Sequence, residues 1–352
     1  MSMKTNLIIN LFLVVHLFTS CHVYEKYENA SLFSLTDFKT TTKLNATTVE
    51  FDEPIMLPVS FVKSDSLLIV QNIRTKNMLY VYNINSRKKV GEFISFGSGP
   101  DELLRIKNMQ LVGKDLYITD SQKKSVNKYD INDFHKITDN LVPIQKIAIE
   151  DFFYHLAYTD NGYVAIAMNP ENKRLMYYNS KGEREFTAGE YPYFGKELTV
   201  FENIEGFNSF IVISHQYKRI YLFGMATDLI EIYGFNGELV KRLHGPDQVF
   251  PQVKEVRSTD GYSRMSGLGK STFTFSHPII IGDEIYVAYS GHQIIGEESY
   301  PIMNHILVFD LECNPVRRYE LSKSIVAFTI DPETKKIYAT SNIPEYHMVV
   351  FD

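Results

Sequence analysis

Four oxygen-bearing side chains stand at equivalent places in a repeated pattern of this sequence. Each of the four lies within three residues of the end of a short apolar run; they are Asn72, Asp120, Asn169 and Asn342. Carboxylate and amide oxygens are suitable ligands for Ca²⁺. A ring of such groups therefore predicts a calcium site, with the metal polarising a carbonyl or glycosidic group. Asn and Asp also favour turns, so the sequence leaves a structural interpretation open.

A second pair of carboxylates ends the segment Gly97-Ser98-Gly99-Pro100-Asp101-Glu102. If Asp101 and Glu102 point towards a central channel, they would bind a cation or sugar hydroxyl groups. A Gly-Pro sequence also reverses the chain, and acidic side chains cap turns. We favour the structural interpretation for this motif.

Other catalytic and binding signatures are absent from the sequence. The Gly-Lys-Ser that ends at Ser271 lacks the first glycine of a P-loop, because that position holds Arg264, so we expect no nucleotide. There is no Gly-x-Ser-x-Gly elbow, and the ten histidines have no zinc-binding spacing. The net charge of −6 argues against general nucleic-acid binding. These features favour a protein that is not an enzyme.

The elements that must position these residues form a repeat. Each unit has an apolar run, which is typical of a strand buried on both faces, and then a strand that ends in an aromatic residue followed by Asn, Asp or Gly. The apolar runs are Leu67–Val70, Leu116–Thr119, Tyr163–Ile166, Ile220–Phe223, Ile285–Ala288 and Ile337–Thr340. The aromatic residues are Tyr82, Tyr129, Tyr178, Tyr233, Phe309 and Phe351.

The spacing of the repeat predicts the architecture. The aromatic residues are 47, 49, 55, 76 and 42 positions apart, close to the length of a four-stranded propeller blade. The sequence therefore predicts an all-β, six-bladed β-propeller with four antiparallel strands per blade and an insertion at about residues 245–271. The last unit has three strands. We expect the extended segment Thr47–Asp52 to supply the fourth, which would close the ring and cover its edges.

The N-terminal segment has the order of a secretory signal. Lys4 precedes twelve mostly apolar residues, Leu7–Phe18, and small residues follow. Twelve residues span about 18 Å as a helix, which is too short for a hydrocarbon core of about 30 Å. Leu17–Cys21 resembles the bacterial lipobox, and that resemblance implies cleavage before Cys21 and lipidation of this residue.

These features predict three regions along the chain. Residues 1–20 would be a lipoprotein signal peptide, residues 21–45 the lipidated Cys21 with a polar tether, and residues 46–352 the propeller. Several acyl chains on one residue anchor a protein stably, whereas one chain alone is marginal.

The lipobox, the six repeats and the segment Phe96–Glu102 together resemble the TolB-like six-bladed β-propeller lipoproteins of Gram-negative anaerobes. That family often carries Gly-x-Gly-Pro-Gly-Glu after the first blade, and here Asp101 replaces the second-last glycine. The resemblance covers about residues 47–352. It implies an exported, membrane-anchored propeller of largely unassigned activity, and it implies no catalytic residues.

Two functions remain open at this stage, beside a purely structural role in an envelope complex. The first is a binding or interaction module for a glycan, a peptide or an envelope partner, held on the lipid bilayer through Cys21. The expected location is the cell envelope, on the outer membrane. The second is a metal-dependent hydrolase or lyase that acts at the central channel with Ca²⁺.

Overall fold

Six antiparallel sheets follow one another in the structure, a computed structural model that describes residues 26–135, 141–257, 263–265, 271–294 and 302–352. Three short strands come first: β1 (Ser31–Leu32), β2 (Thr40–Leu44) and β3 (Ala46–Val49). Blade 1 consists of β4 (Pro58–Ser64), β5 (Leu67–Asn72), β6 (Asn77–Asn83) and β7 (Lys88–Ser95). Blade 2 consists of β8 (Ile106–Val112), β9 (Asp115–Asp120), β10 (Ser125–Asp130) and β11 (Gln145–Ala148). Blade 3 consists of β12 (His155–Tyr158), β13 (Gly162–Ile166), β14 (Lys173–Asn179) and β15 (Arg184–Glu190).

The second half of the chain continues the pattern. Blade 4 consists of β16 (Ser209–Ser214), β17 (Arg219–Gly224), β18 (Leu229–Gly234) and β19 (Leu239–His244). A two-stranded excursion, β20 (Glu255–Arg257) and β21 (Ser263–Met265), leads to blade 5. Blade 5 consists of β22 (Ser271–Ile281), β23 (Glu284–Ile294), β24 (Met303–Asp310) and β25 (Pro315–Ile325). Blade 6 consists of β26 (Ala327–Ile330), β27 (Ile337–Ser341) and β28 (His347–Phe351) with β3. Among the described residues, the helices are the short 3₁₀ turns Leu35–Asp37 and Ile131–His135 and the helix α1 (Val200–Gly206).

The six sheets form a closed ring. The first strands of neighbouring blades contact one another all the way round, from β4 through β8, β12, β16, β22 and β26 back to β4. Antiparallel pairing places the connections between blades and the loops between second and third strands at one end of the ring, which we call the connection face. The other end, the turn face, carries the loops between first and second strands and between third and fourth strands.

The core lies between the faces of adjacent blades. Six buried apolar clusters each combine residues of two neighbouring blades. The second strands are buried on both sides, and the side chains of Leu67–Val70 are fully inaccessible. This position explains why the sequence shows continuous apolar runs and not an alternating pattern. All six predicted runs lie in second strands, and all six aromatic markers lie in third strands.

The ring closes as the sequence predicts. Ala46 pairs with Phe351 and Val49 pairs with Met348, so β3 is the fourth strand of blade 6 and runs antiparallel to β28. The prediction of an all-β, six-bladed propeller closed by an N-terminal strand is confirmed.

The segment predicted as a tether packs against the ring from its first described residues. We call residues 26–44 the belt. Within the belt, β1 pairs parallel with β19 of blade 4, and β2 pairs parallel with β25 of blade 5. Tyr27, Phe33 and Phe38 are buried. Phe33 and Phe38 pack against Phe309 of blade 5, and Tyr27 packs against His244 of blade 4. The polar tether predicted over residues 21–45 therefore does not extend past the start of the belt, and residues 21–25 lie outside the described residues.

A buried charge network stabilises the region between blade 3, blade 4 and the belt. Glu231 accepts hydrogen bonds from Arg174 Nε (2.8 Å) and Arg242 Nη2 (2.8 Å). Arg242 also donates to the backbone carbonyls of Glu28 in the belt and Glu190 in blade 3. Burial opposes ionisation of Glu231, but the two guanidinium groups keep its pKa below the ordinary value. The carboxylate therefore stays charged and links three parts of the fold.

Candidate functional site

The central channel of the ring contains a cavity of about 440 Å³. It is lined by residues of β4, β8, β16, β22 and β26, the first strands of five blades. First strands surround the axis because they are the innermost strand of each blade. Ligand sites in proteins commonly enclose about 300–1,000 Å³, so the cavity is large enough for a small ligand.

Charged groups near the turn face of the channel are paired. Lys63, near the end of β4, forms an ion pair with Asp331 (2.8 Å). Burial opposes ionisation of Asp331, but the Lys63 hydrogen bond and nearby backbone N–H groups lower its pKa to about 2. His215, just after β16, lies 2.7 Å from Asp160 through Nδ1 and 3.3 Å from the Gln110 amide through Nε2. This end of the channel is electrostatically satisfied.

The connection-face end of the channel holds a lysine of different character. Lys107, near the start of β8, lines the cavity and is half-buried. Within the described parts of the chain, its ammonium group makes neither a hydrogen bond nor an ion pair. Burial lowers the pKa of Lys107, and the nearby Arg105 lowers it further, while Glu205 has the opposite effect. Glu205 in turn accepts a hydrogen bond from the Tyr154 hydroxyl (2.8 Å).

His155 lies beside Lys107 on the first strand of the next blade. The Asn108 side chain donates to the Leu156 carbonyl (3.2 Å), which fixes β8 against β12 at this level. His155 is buried and packs against Phe210, with ring centroids 5.4 Å apart. Burial lowers the pKa of His155 to about 3, with Lys107 as a second cause. The imidazole is therefore neutral at physiological pH.

A second histidine lies in the same layer of the channel. His277 interrupts β22 at a bulge, with a φ of 51°. Its Nε2 atom lies 2.6 Å from the Val59 carbonyl, and its ring contacts Phe210 at 5.6 Å. Burial lowers the pKa of His277, although the bond to Val59 acts in the opposite direction. The layer thus combines two imidazoles around one aromatic ring.

Asp120 is the last residue of β9, and its carboxylate accepts hydrogen bonds from nearby backbone groups. It accepts hydrogen bonds from the backbone N–H groups of Leu104 (2.6 Å), Arg105 (3.2 Å), Gln122 (2.9 Å) and Lys123 (3.1 Å). The carboxylate therefore holds the connection between blades 1 and 2 against the loop of blade 2. All four donors are backbone groups, which is the arrangement of a structural cap.

A carboxylate that caps backbone N–H groups of a connection also occurs in blade 4, at a residue that was not predicted from the sequence. Asp228 accepts from the backbone N–H groups of Asp247 (2.6 Å) and Val249 (2.7 Å). A carboxylate after the second strand thus holds a connection between blades in two places.

The other predicted oxygen ligands are dispersed over different blades. The Asn169 side chain makes hydrogen bonds across its own loop in blade 3, with backbone atoms of Ala167 and Lys173. Asn72 is fully buried in blade 1, and Asn342 is partly exposed in blade 6. No group of three or more His, Cys, Asp or Glu residues in the described ranges is arranged to hold a metal ion. Asn72, Asn169 and Asn342 are not of these residue types, so the calcium site stays a prediction from the sequence.

The motif Gly97–Glu102 forms a self-contained turn after β7. Glu102 folds back, and its Oε2 accepts from the Gly99 N–H (2.7 Å). Lys123 donates to the backbone carbonyls of Gly99 (2.6 Å) and Glu102 (2.5 Å). Asp101 is exposed to solvent. Neither carboxylate is among the residues that line the cavity.

Cys313 is buried in the core between blades 4 and 5, where burial raises the pKa of its thiol, so it has no catalytic setting. Cys21 lies outside the described residues, as do Gly269 and Lys270 of the Gly-Lys-Ser segment. Among the described residues, no helix is long and apolar enough to cross a bilayer.

Comparison with known proteins now decides the family. A family model described as TolB-like 6-blade propeller-like matches residues 36–333. The chain belongs to this family. None of the curated proteins matches this TolB-like propeller.

Two solved structures resemble this TolB-like propeller. A protein described as exported, from Bacteroides fragilis NCTC 9343, is 12% identical, with a TM-score of 0.56, and the match covers 91% of this chain and 99% of that one. A member of the DUF4221 family from Bacteroides vulgatus is 7% identical, with a TM-score of 0.51, and the match covers 87% and 97%. At these identities the likeness shows the fold alone.

The cavity-lining Lys107 and the buried His155 on the next first strand were missed as site candidates from the sequence of this TolB-like propeller. The analysis located second and third strands, which have strong apolar and aromatic signals, but it did not assign first strands. A signal was nevertheless present, since Lys107 lies five residues after the Gly97–Glu102 turn, where the first strand of the next blade must begin. The helix α1 was also missed, although Thr199 and Glu202 form a capping box that the sequence displays.

Proposed function

We propose that this protein is an exported, lipid-anchored binding module that takes a glycan or a peptide into the connection-face end of its central channel. The observation that carries the proposal is the 440 Å³ cavity in which Lys107 has no partner among the described residues. A rigid ring with an open polar group in an enclosed cavity is suited to binding. The dispersed oxygen ligands give no comparable support to a metal-dependent hydrolase or lyase.

The location in the cell envelope is part of the proposal. It is supported by the apolar run Leu7–Phe18, by the lipobox-like segment that ends at Cys21, and by the likeness to an exported protein of Bacteroides fragilis. We propose that acyl chains on Cys21 hold the propeller on the outer membrane, where an envelope protein is a further partner class. Fractionation tests this part: the parent protein should sediment with membranes, and Cys21→Ala should be soluble. A soluble parent protein would contradict it.

The binding role is tested by blocking the channel. Thermal unfolding of the protein without residues 1–21 is measured against a panel of oligosaccharides and short peptides, so that all described residues, from Lys26 onward, are kept. A ligand at 100 times its dissociation constant stabilises by about 2.7 kcal/mol. Ser60→Trp places an indole among the cavity-lining residues, and Ser180→Trp places one in an exposed hairpin turn. Stabilisation should disappear in the first variant and persist in the second, and equal stabilisation of both would contradict a channel site.

A further inference from the structure

The connection-face end of the channel presents a hydrogen-bond donor to the cavity. Lys107 lines the cavity, and its ammonium group makes no hydrogen bond within the described ranges. We propose that this end of the channel binds a carboxylate of its ligand, with Lys107 as the group that binds it. The carboxylate is that of a uronate in an acidic glycan or that of a peptide C-terminus. The inference rests on the proposed function, because it names the chemistry of the same channel.

The charges around Lys107 support an anionic ligand. Two lysines line the cavity, and Lys63 already has the carboxylate of Asp331 at 2.8 Å. The carboxylate of Glu205, which acts on Lys107 electrostatically, accepts a hydrogen bond from Tyr154 and makes no ion pair with the lysine in the described structure. Arg105 adds a second positive charge close enough to lower the pKa of Lys107. The connection-face end therefore has an excess of positive charge that an anion would neutralise.

The solvation of Lys107 gives this contact its strength. A half-buried ammonium group has lost part of its hydration, which is why burial lowers its pKa. Charge-assisted hydrogen bonds between ammonium and carboxylate groups are short and about twice as strong as neutral ones. A carboxylate in the cavity would restore the lost interactions of the lysine. Ligand binding should accordingly raise the pKa of Lys107.

Phe210 lines the cavity and defines the apolar part of the subsite. His155 is buried next to it and adds no charge there, because its imidazole is neutral. Phe210 packs against His155 (5.4 Å) and His277 (5.6 Å) and provides an apolar surface. A sugar ring or an aliphatic side chain attached to the carboxylate would lie on this surface.

The test uses ligand pairs that differ at one group. Digalacturonate is compared with galactobiose, which has the same rings with hydroxymethyl groups in place of carboxylates. A tri-alanine peptide with a free C-terminus is compared with its C-terminal amide. Calorimetric titration measures each dissociation constant with the parent protein, with Lys107→Met and with Lys196→Met, which alters an exposed lysine of the connection between blades 3 and 4.

We expect the carboxylate member of one pair to bind the parent protein at least tenfold more tightly than its neutral partner. Lys107→Met should abolish that preference, and Lys196→Met should retain it. The pair that shows the preference identifies the source of the carboxylate as glycan or peptide.

Two results would overturn the inference and are distinguishable from a failure of the proposed function. If neutral ligands bind the channel and Lys107→Met has no effect, the channel is a binding site but not a carboxylate site. If no carboxylate ligand binds more tightly than its neutral partner, the inference is likewise rejected. The proposed function fails separately, when Ser60→Trp leaves every ligand-induced stabilisation intact. Loss of folding in Lys107→Met is checked by its circular dichroism and unfolding midpoint, and Lys107→Gln then serves as the second variant.

Discussion

The buried neutral state of His155 makes a quantitative prediction about acid stability. The pKa of this imidazole falls from 6.5 to about 3 in the folded chain, through burial and through Lys107. Between these values the unfolded chain binds a proton that the folded chain does not, so the free energy of unfolding must fall as the pH falls. Integration from pH 8 to pH 5 gives a loss of about 2 kcal/mol from this one group. The loss begins near pH 6.5 and is complete near pH 3.

The assay compares two variants with the parent protein. Urea unfolding is followed at pH 8, 7, 6 and 5 for the parent protein, for His155→Gln and for His135→Gln, an exposed control. From pH 8 to pH 5 the parent protein should lose about 2 kcal/mol more than His155→Gln, and the control should follow the parent protein. Other titrating groups, including the buried His277, contribute equally to both and cancel in the comparison. Parallel pH curves for the parent protein and His155→Gln would refute the reasoning.

Three further predictions concern the residues that hold the ring together, each measured by urea unfolding at neutral pH. Glu231→Gln should lower the free energy of unfolding by about 3–5 kcal/mol, because two buried guanidinium groups lose their counter-charge. The control Glu190→Gln, in an exposed pair with Lys173, should lower it by less than about 1 kcal/mol. Equal losses would contradict the role of the buried network. Phe33→Ala in the belt should lower the free energy of unfolding by about 3–5 kcal/mol, and the same change at the half-exposed neighbour Leu32 is the control. A negligible loss at Phe33 would mean that the belt is not part of the cooperative fold. Asp120→Ala should lower the free energy of unfolding by about 1–3 kcal/mol, because backbone donors lose their acceptor. Added Ca²⁺ should not raise the unfolding midpoint of the parent protein. A calcium-dependent rise that Asp120→Ala abolishes would instead support the metal-site interpretation.

The architecture was predictable because each blade repeats a strong local signal. Second strands buried on both faces require continuous apolar runs, such as Leu67–Val70, and third strands end in an aromatic residue before a turn. Closure by β3 followed from counting strands in the last unit. Each of these features is short-range and repeats, so it is visible without knowing which blades become neighbours.

The belt and the channel were not predictable on the same basis. The aromatic residues Tyr27, Phe33 and Phe38 lie in a segment with no period, and their burial depends on the edges of blades 4 and 5, about 200 residues or more away in sequence. Asp120 was selected for its oxygen atoms, but two of its four donors, Leu104 and Arg105, lie in the connection from blade 1, which the sequence does not place beside it. Lys107 is an ordinary lysine in sequence and becomes distinctive only when its first strand faces the axis.

Methyl NMR with isoleucine labelling tests the central claim most directly, since it reports where a ligand lies in the ring. The spectrum of the protein without residues 1–21 is recorded with and without digalacturonate and the free tri-alanine peptide. If a ligand occupies the channel, the methyl groups of the cavity-lining Ile211 and Ile279 should shift. Those of Ile69 and Ile118, in the core between blades, should stay in place. Shifts confined to exposed residues such as Ile343 would place the ligand on the outer surface and contradict a channel-binding propeller.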